Sequence, residues 1–237
     1  MYNGPARGET MTVEDTIAKT ALNLALVVVA GAASWMLLAP RPEAAVPVML
    51  VSGIVGLVLA MVNIFRREPS PALIMGYSVA QGVALGAISM FFEMQWPGIV
   101  LQAILATFAV FGVTLALFAS GKVRASAKAT KVFMIAIVGY LVYSIINVFV
   151  MLFGGAGGNP WGLDGLRVFG LPLGLILGVL VVIMAAYSLV LDFDSIQRGV
   201  KNGAPKKFGW TAAFGIMVTM IWLYTQILRM LAIARSQ

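Results

Sequence analysis

The sequence predicts an all-α, polytopic membrane protein, a bundle of seven transmembrane helices. Three observations carry that prediction. Of 237 residues, 61% are hydrophobic and only 11% charged, whereas a soluble domain is about 45–50% apolar and about 25% charged. A soluble chain of this length cannot hide that much apolar surface, so lipid must be the solvent for much of it. The apolar residues also gather into seven separate runs, each near the ~20 residues a helix needs to cross a hydrocarbon core of about 30 Å.

The runs cover residues 17–39, 44–64, 71–92, 97–119, 131–153, 171–197 and 208–234. Pro71, Pro97 and Pro172 fall near run starts, where a helix loses nothing by the missing N–H. Arg66-Arg67-Glu68-Pro69-Ser70 and Glu93-Met94-Gln95-Trp96 are tight links, the second with a Trp suited to the membrane–water boundary. The stretch from Gly154 to Trp161 is glycine-rich. It reads as a loop and not a phosphate cradle, because neither a lysine nor a helix-opening Ser or Thr follows it. Residues 1–15 form a polar N-terminal tail, and residues 16–237 form one transmembrane domain. The tail carries Glu9, Glu14 and Asp15 beside Arg7, and Leu38-Ala39-Pro40-Arg41 closes the first run. Neither suits a cleaved signal peptide, so the first run is a retained span.

Charge and composition exclude several functions. The chain has no cysteine and no histidine, which removes disulfides, thiol nucleophiles, thiolate or imidazole metal sites and Ser-His-Asp catalysis. The net charge is +7, but the basic residues stand between apolar runs, which marks orientation and not nucleic-acid binding. Twelve of the sixteen Lys and Arg residues lie in the N-terminal segment and the 2–3, 4–5 and 6–7 connections; Arg41, Arg167, Arg229 and Arg235 lie on the other side. That bias places the N-terminus in the cytoplasm and the C-terminus outside. The run Lys122, Arg124, Lys128, Lys131 serves this orientation and also attracts anionic lipid.

An ionisable side chain inside a membrane is a functional hypothesis by default. Most of the nine acids fall in the tail, in loops (Asp164 among them) or at a helix end. Asp192 and Asp194 remain, near the cytoplasmic end of the sixth run. Two positions apart on a helix, they point to nearly opposite sides. Asp194 has Arg198 four residues on, a local ion pair. Asp192 has no basic residue three or four positions away, so it requires a partner from another helix, or a proton. The plainer alternative is that both are solvated among lipid headgroups.

Polar residues recur at helical spacing elsewhere. The seventh run carries Thr211, Gly215, Thr219, Trp222, Gln226 and Arg229, with Arg229 able to snorkel to the outer surface. The fifth carries Tyr140, Ser144 and Asn147, with Tyr143 nearby, and the third carries Ser78, Gln81, Gly82, Gly86 and Ser89. Gly82-xxx-Gly86 permits close approach of another backbone. These stripes predict a polar interior formed by helix packing. No catalytic motif is present: there is no Walker sequence or dinucleotide fingerprint, and the acids are too few for a metal-dependent enzyme or a two-aspartate protease. No enzymatic activity is expected.

Several strings resemble the bacterial branch of the Bax inhibitor-1-like (transmembrane Bax inhibitor motif-containing) family. They are Pro69-Ser70-Pro71-Ala72-Leu73-Ile74, the stretch from Gly82 to Ser89 with Phe91-Phe92-Glu93, Leu191-Asp192-Phe193-Asp194, and Trp222-Leu223-Tyr224 leading to Ile227-Leu228-Arg229. The resemblance implies a seven-helix fold with the last helix central, in a bacterial inner membrane. It implies a calcium leak conductance switched by a pH-sensing pair of acids on helices six and seven. Calcium would then be the permeant ion, attracted by Asp192, and not a resident cofactor. Asp192 matches the helix-six acid. The helix-seven acid is expected near Gln226, here an amide, and Gln81 sits where relatives often have a glutamate. At about 1.5 Å per residue, Asp192 lies about 10 Å from the end of helix six and Gln226 about 30 Å into helix seven. The two meet only if residues 206–210 project into the cytoplasm. The expected partners are the lipid bilayer and, in the alternative reading, another membrane protein such as a membrane protease that this chain regulates without transport.

Overall fold

The computed structural model describes residues 9–154 and 159–236. Arg7 and half of the glycine-rich stretch, residues 155–158, lie outside the described residues. Among the described residues, seven helices are long and apolar enough to cross a membrane. They are α1 (Val13–Leu38), α2 (Ala45–Phe65), α3 (Pro71–Gln95), α4 (Ile99–Ala119), α5 (Ala127–Leu152), α6 (Leu173–Lys201) and α7 (Phe208–Arg235). Among the described residues the only strands are the two-residue β1 (Arg167–Val168) and β2 (Leu171–Pro172), an antiparallel pair before α6. The all-α, seven-span architecture is the one the sequence predicts.

α3 runs on to Gln95, three residues past its apolar run, and three further helices extend, each for a local reason. α1 starts at Val13 because the Thr12 hydroxyl accepts from the Asp15 N–H at 3.1 Å, with Glu14 and Asp15 in the first turn. Both features satisfy a helix N-terminus. α5 starts at Ala127 under a Ser126 cap on the Ala129 N–H at 3.2 Å, so Lys128 and Lys131 ride on the helix and not in the loop. α6 runs on to Lys201, with Arg198 and Lys201 in its last turn, where cations suit the dipole.

The chain forms two compact units, Met1–Met94 with Asp192–Ile221, and Gln95–Leu191 with Trp222–Gln237. In the first, α1 and α3 touch backbone to backbone. A Cβ on Gly82 would lie 2.5 Å from the Val27 carbonyl, and one on Gly86 would collide with the Gly31 carbonyl. Here the predicted close approach at Gly82-xxx-Gly86 is realised. The Ser34 hydroxyl donates to the Val83 carbonyl at 3.0 Å. Deeper in this unit Ser78 donates to Asn23 Oδ1 at 2.8 Å, both side chains fully buried. Val27, Ile74, Tyr77, Phe214 and Met217 form the adjoining core, with Tyr77 and Phe214 edge to face at 5.0 Å.

Residues 9–12 are bound to the α6–α7 connection. Met11 N–H donates to the Ala204 carbonyl at 2.7 Å and Lys206 N–H to the Glu9 carbonyl at 2.8 Å. Lys19 is buried; its ammonium pairs with Asp15 and donates to the Lys206 carbonyl at 2.9 Å. In the second unit, Tyr187 of α6 meets Thr130 of α5 at 3.0 Å between hydroxyls and lies against Phe133.

Gly86→Ala is expected to destabilise the purified protein by about 1–3 kcal/mol, because the α1 backbone cannot yield to a methyl group. Gly139→Ala, where a Cβ meets nothing within 4 Å, is expected to be neutral or slightly stabilising. Thermal unfolding of the two variants in detergent checks both.

Candidate functional site

The first polar centre joins α6 to α7. Thr219 Oγ1 donates to Asp192 Oδ2 at 2.8 Å. Gly215, one turn earlier on α7, faces the other carboxylate oxygen, and a Cβ there would lie 2.8 Å from Asp192 Oδ1. A side chain at position 215 would therefore push the carboxylate away. The stripe that the sequence marks on helix seven is the surface that receives Asp192, whose side chain is half-buried. Asp192 does find a partner on another helix, but that partner is a neutral hydroxyl. Among the described residues it forms no ion pair. Asp194 points elsewhere and pairs with Arg198 at 2.8 Å, as the spacing predicts.

The structure corrects the expected α7 counterpart. Thr219 stands opposite Asp192, seven residues before Gln226. The depth difficulty disappears with it, because a residue two turns nearer the start of α7 lies at the right level. Lys206 pairs with Glu9 at 2.6 Å, and Trp210 packs beside the Phe214–Met217 core.

The second polar centre belongs to the second unit and was not legible as one. Asp164 was placed in a loop, but it is buried, only 1% exposed. It sits in a 3-10 turn, Gly162–Gly165, that folds back onto α5. Arg229 Nη1 donates to Asp164 Oδ2 at 2.7 Å, Tyr143 OH to Oδ1 at 2.7 Å and Asn147 Nδ2 to Oδ2 at 3.2 Å. Arg229 Nη2 donates to Tyr140 OH at 2.8 Å, and Tyr140 OH donates to Gln226 Oε1 at 3.0 Å. Arg229 therefore does not snorkel to the surface; a buried carboxylate holds it. Two glycines make room. Gly162 adopts φ 58° directly against the Asn147 side chain, a conformation and a clearance that only glycine supplies. A Cβ on Gly174 would lie 2.8 Å from Asp164 Cβ. The signal in the sequence was the pair of facing stripes, Tyr140/Tyr143/Asn147 and Gln226/Arg229, which lacked an acid; Asp164 supplies it.

Gln81 lies across Gly56 of α2, where a Cβ would come within 2.6 Å of its amide nitrogen. It is a packing contact in the first unit. At the α6–α7 connection, the hydrogen bond and charge of Lys207 hold the Glu68 carboxyl below its ordinary range, and Glu9 raises the Lys206 ammonium above its own. The Glu68–Lys207 attraction is thus present at neutral pH and is lost as pH falls through the lowered Glu68 value.

Seven spans with polar centres carried by α6 and α7 define a multi-pass α-helical membrane protein. The chain belongs to the Bax inhibitor 1 like family, whose model matches residues 1–236. A comparison with curated proteins returns no match.

Arg229→Gln leaves the Asp164 carboxylate buried and uncompensated, and is expected to cost about 3 kcal/mol or more. Adding Asp164→Asn removes the stranded charge, so the double variant is expected to melt above Arg229→Gln alone. Thermal melts of the two single variants and the double variant in detergent give the coupling directly.

Proposed function

We propose that the protein is a cation leak pathway of the bacterial inner membrane, with calcium as the permeant ion, and that Asp192 is its proton-responsive gate. The observation that carries this reading is the Asp192–Thr219 contact. A carboxylate held in a membrane-spanning segment by a hydroxyl keeps its full negative charge, because a hydroxyl donates a hydrogen bond without neutralising it. Such a group attracts a cation when ionised and releases it when protonated. Asp164, by contrast, is neutralised by Arg229 and is unsuited to that part. The reading assigns no covalent chemistry and no resident cofactor.

Membership in the family supports the reading, and Thr219 modifies it. Two facing carboxyl groups share a proton and titrate as a coupled pair; Asp192 facing Thr219 titrates as one group. The proposed orientation keeps the N-terminus in the cytoplasm, resting on the twelve-to-four distribution of Lys and Arg.

Purified protein in liposomes is expected to pass calcium at a rate that changes with pH. Asp192→Asn is expected to flatten that dependence. Absence of flux in the parent would overturn the conductance and turn attention to a non-transporting regulator that binds another membrane protein. An unaltered pH profile in Asp192→Asn would overturn the gate. Reporters fused to either terminus are expected to place the N-terminus inside and the C-terminus outside.

A further inference from the structure

The hairpin that precedes α6 is built at a conformational cost that water does not explain. Val168 pairs with Leu171, leaving Phe169 and Gly170 as a two-residue turn with φ of 52° and 83°. Two positive φ values define the mirror-image turn whose favoured residues are Asn, Asp and Gly. A phenylalanine there is strained, because its Cβ crowds the backbone in the left-handed region. Phe169 is the only non-glycine at positive φ among the described residues, and it is 98% exposed. In water the position would combine backbone strain with a fully hydrated aromatic ring. Strain of this kind is a pointer to function when the surroundings hold it in place. Here the hairpin base is closed by Leu173 N–H donating to the Leu166 carbonyl at 2.7 Å.

Three further features give the ring a solvent. The hairpin runs straight into α6, whose first residue is Leu173, so at about 3.3 Å per strand residue the tip stays within about 10 Å of a membrane-spanning helix end. Its exposed residues Leu166, Val168 and Leu171 are apolar, and the outward face of α6 continues with Ile176, Val179 and Ile183. In the same unit Trp96 and Trp161 stack at 6.5 Å, and paired tryptophans of this kind mark the membrane–water boundary. The segment 166–173 also contains Arg167 and no acid, which suits phosphate headgroups.

We propose that the β1–β2 hairpin is a lipid-interface anchor, with Phe169 inserted among the acyl chains beside the start of α6. The chain contains no cysteine, so single probes can be placed without background. Spin labels at Phe169→Cys and Val168→Cys, in vesicles of phosphatidylethanolamine and phosphatidylglycerol, report depth through their relative accessibility to oxygen and to a water-soluble nickel chelate. Both labels are expected to be several-fold less accessible to nickel than Asn202→Cys, an exposed position in the α6–α7 connection. Adding Phe169→Asn to the Val168 probe, a residue that accepts positive φ, is expected to move that probe toward water. Nickel accessibility equal to the Asn202 control would overturn the proposal. So would shielding that disappears when the protein is diluted in excess lipid, which would mean that a second copy covers the hairpin. The measurement needs no ion flux, so it stands or falls apart from the proposed conductance.

Discussion

Polar side chains inside a hydrocarbon layer must find partners on other segments, and the buried carboxylate of Asp164 is where this constraint binds most tightly in the chain. Its contacts with Arg229, Tyr143 and Asn147 tie α5, the turn before α6 and the end of α7 to one another. Remove the carboxylate and a guanidinium, a phenol and an amide each lose an acceptor, and the guanidinium loses its counter-charge, within a low-dielectric interior, where an unmatched charge costs far more than a surface ion pair contributes. The constraint is met throughout. Among the described residues, no buried side-chain nitrogen or oxygen lacks a hydrogen-bond partner. α7 is the element that answers it most often, and together with α3 it buries the largest share of its span, half in each case.

Against that background Asp192 is the exception that matters. Both acids meet α7, but the buried Asp164 meets a cation and the half-buried Asp192 meets a hydroxyl. The first arrangement is electrically closed and resists change. The second leaves the carboxylate without an ion-pair partner among the described residues. Gly215 and Thr219 act together here: the missing side chain admits the carboxylate, and the hydroxyl one turn later orients it. A larger residue at 215 or an apolar one at 219 would leave the acid without a seat.

Much of the fold was legible in the sequence because lipid imposes simple rules. Helix number and order follow from the length of the apolar runs, and the α1–α3 approach follows from Gly82 and Gly86. Helix ends were less legible. Thr12, Ser126 and the Asp194–Arg198 pair extend helices through polar residues that an apolar count leaves out. The site was legible in part. Asp192 stood out as an acid without a local partner, and the stripes on α5 and α7 pointed to a polar interior. The partner of Asp192 was misplaced at Gln226 because family likeness gave a neighbourhood and not a register, and two helical turns along the same stripe of α7 change the depth at which a side chain meets α6. Asp164 was missed because its position in a connection says nothing about a glycine-permitted turn that carries it back among the helices.

The central claim is that the Asp192 carboxyl, held by Thr219, is the group that changes its protonation in the proposed gate. Infrared difference spectra of the protein in bilayers, recorded as pH is lowered, test it at the level of the group itself. A protonated-carboxyl stretching band is expected in the parent, lost in Asp192→Asn, and moved to higher frequency in Thr219→Ala as the carbonyl loses its hydrogen bond. A band that survives Asp192→Asn, or one that Thr219→Ala leaves unmoved, would contradict the account.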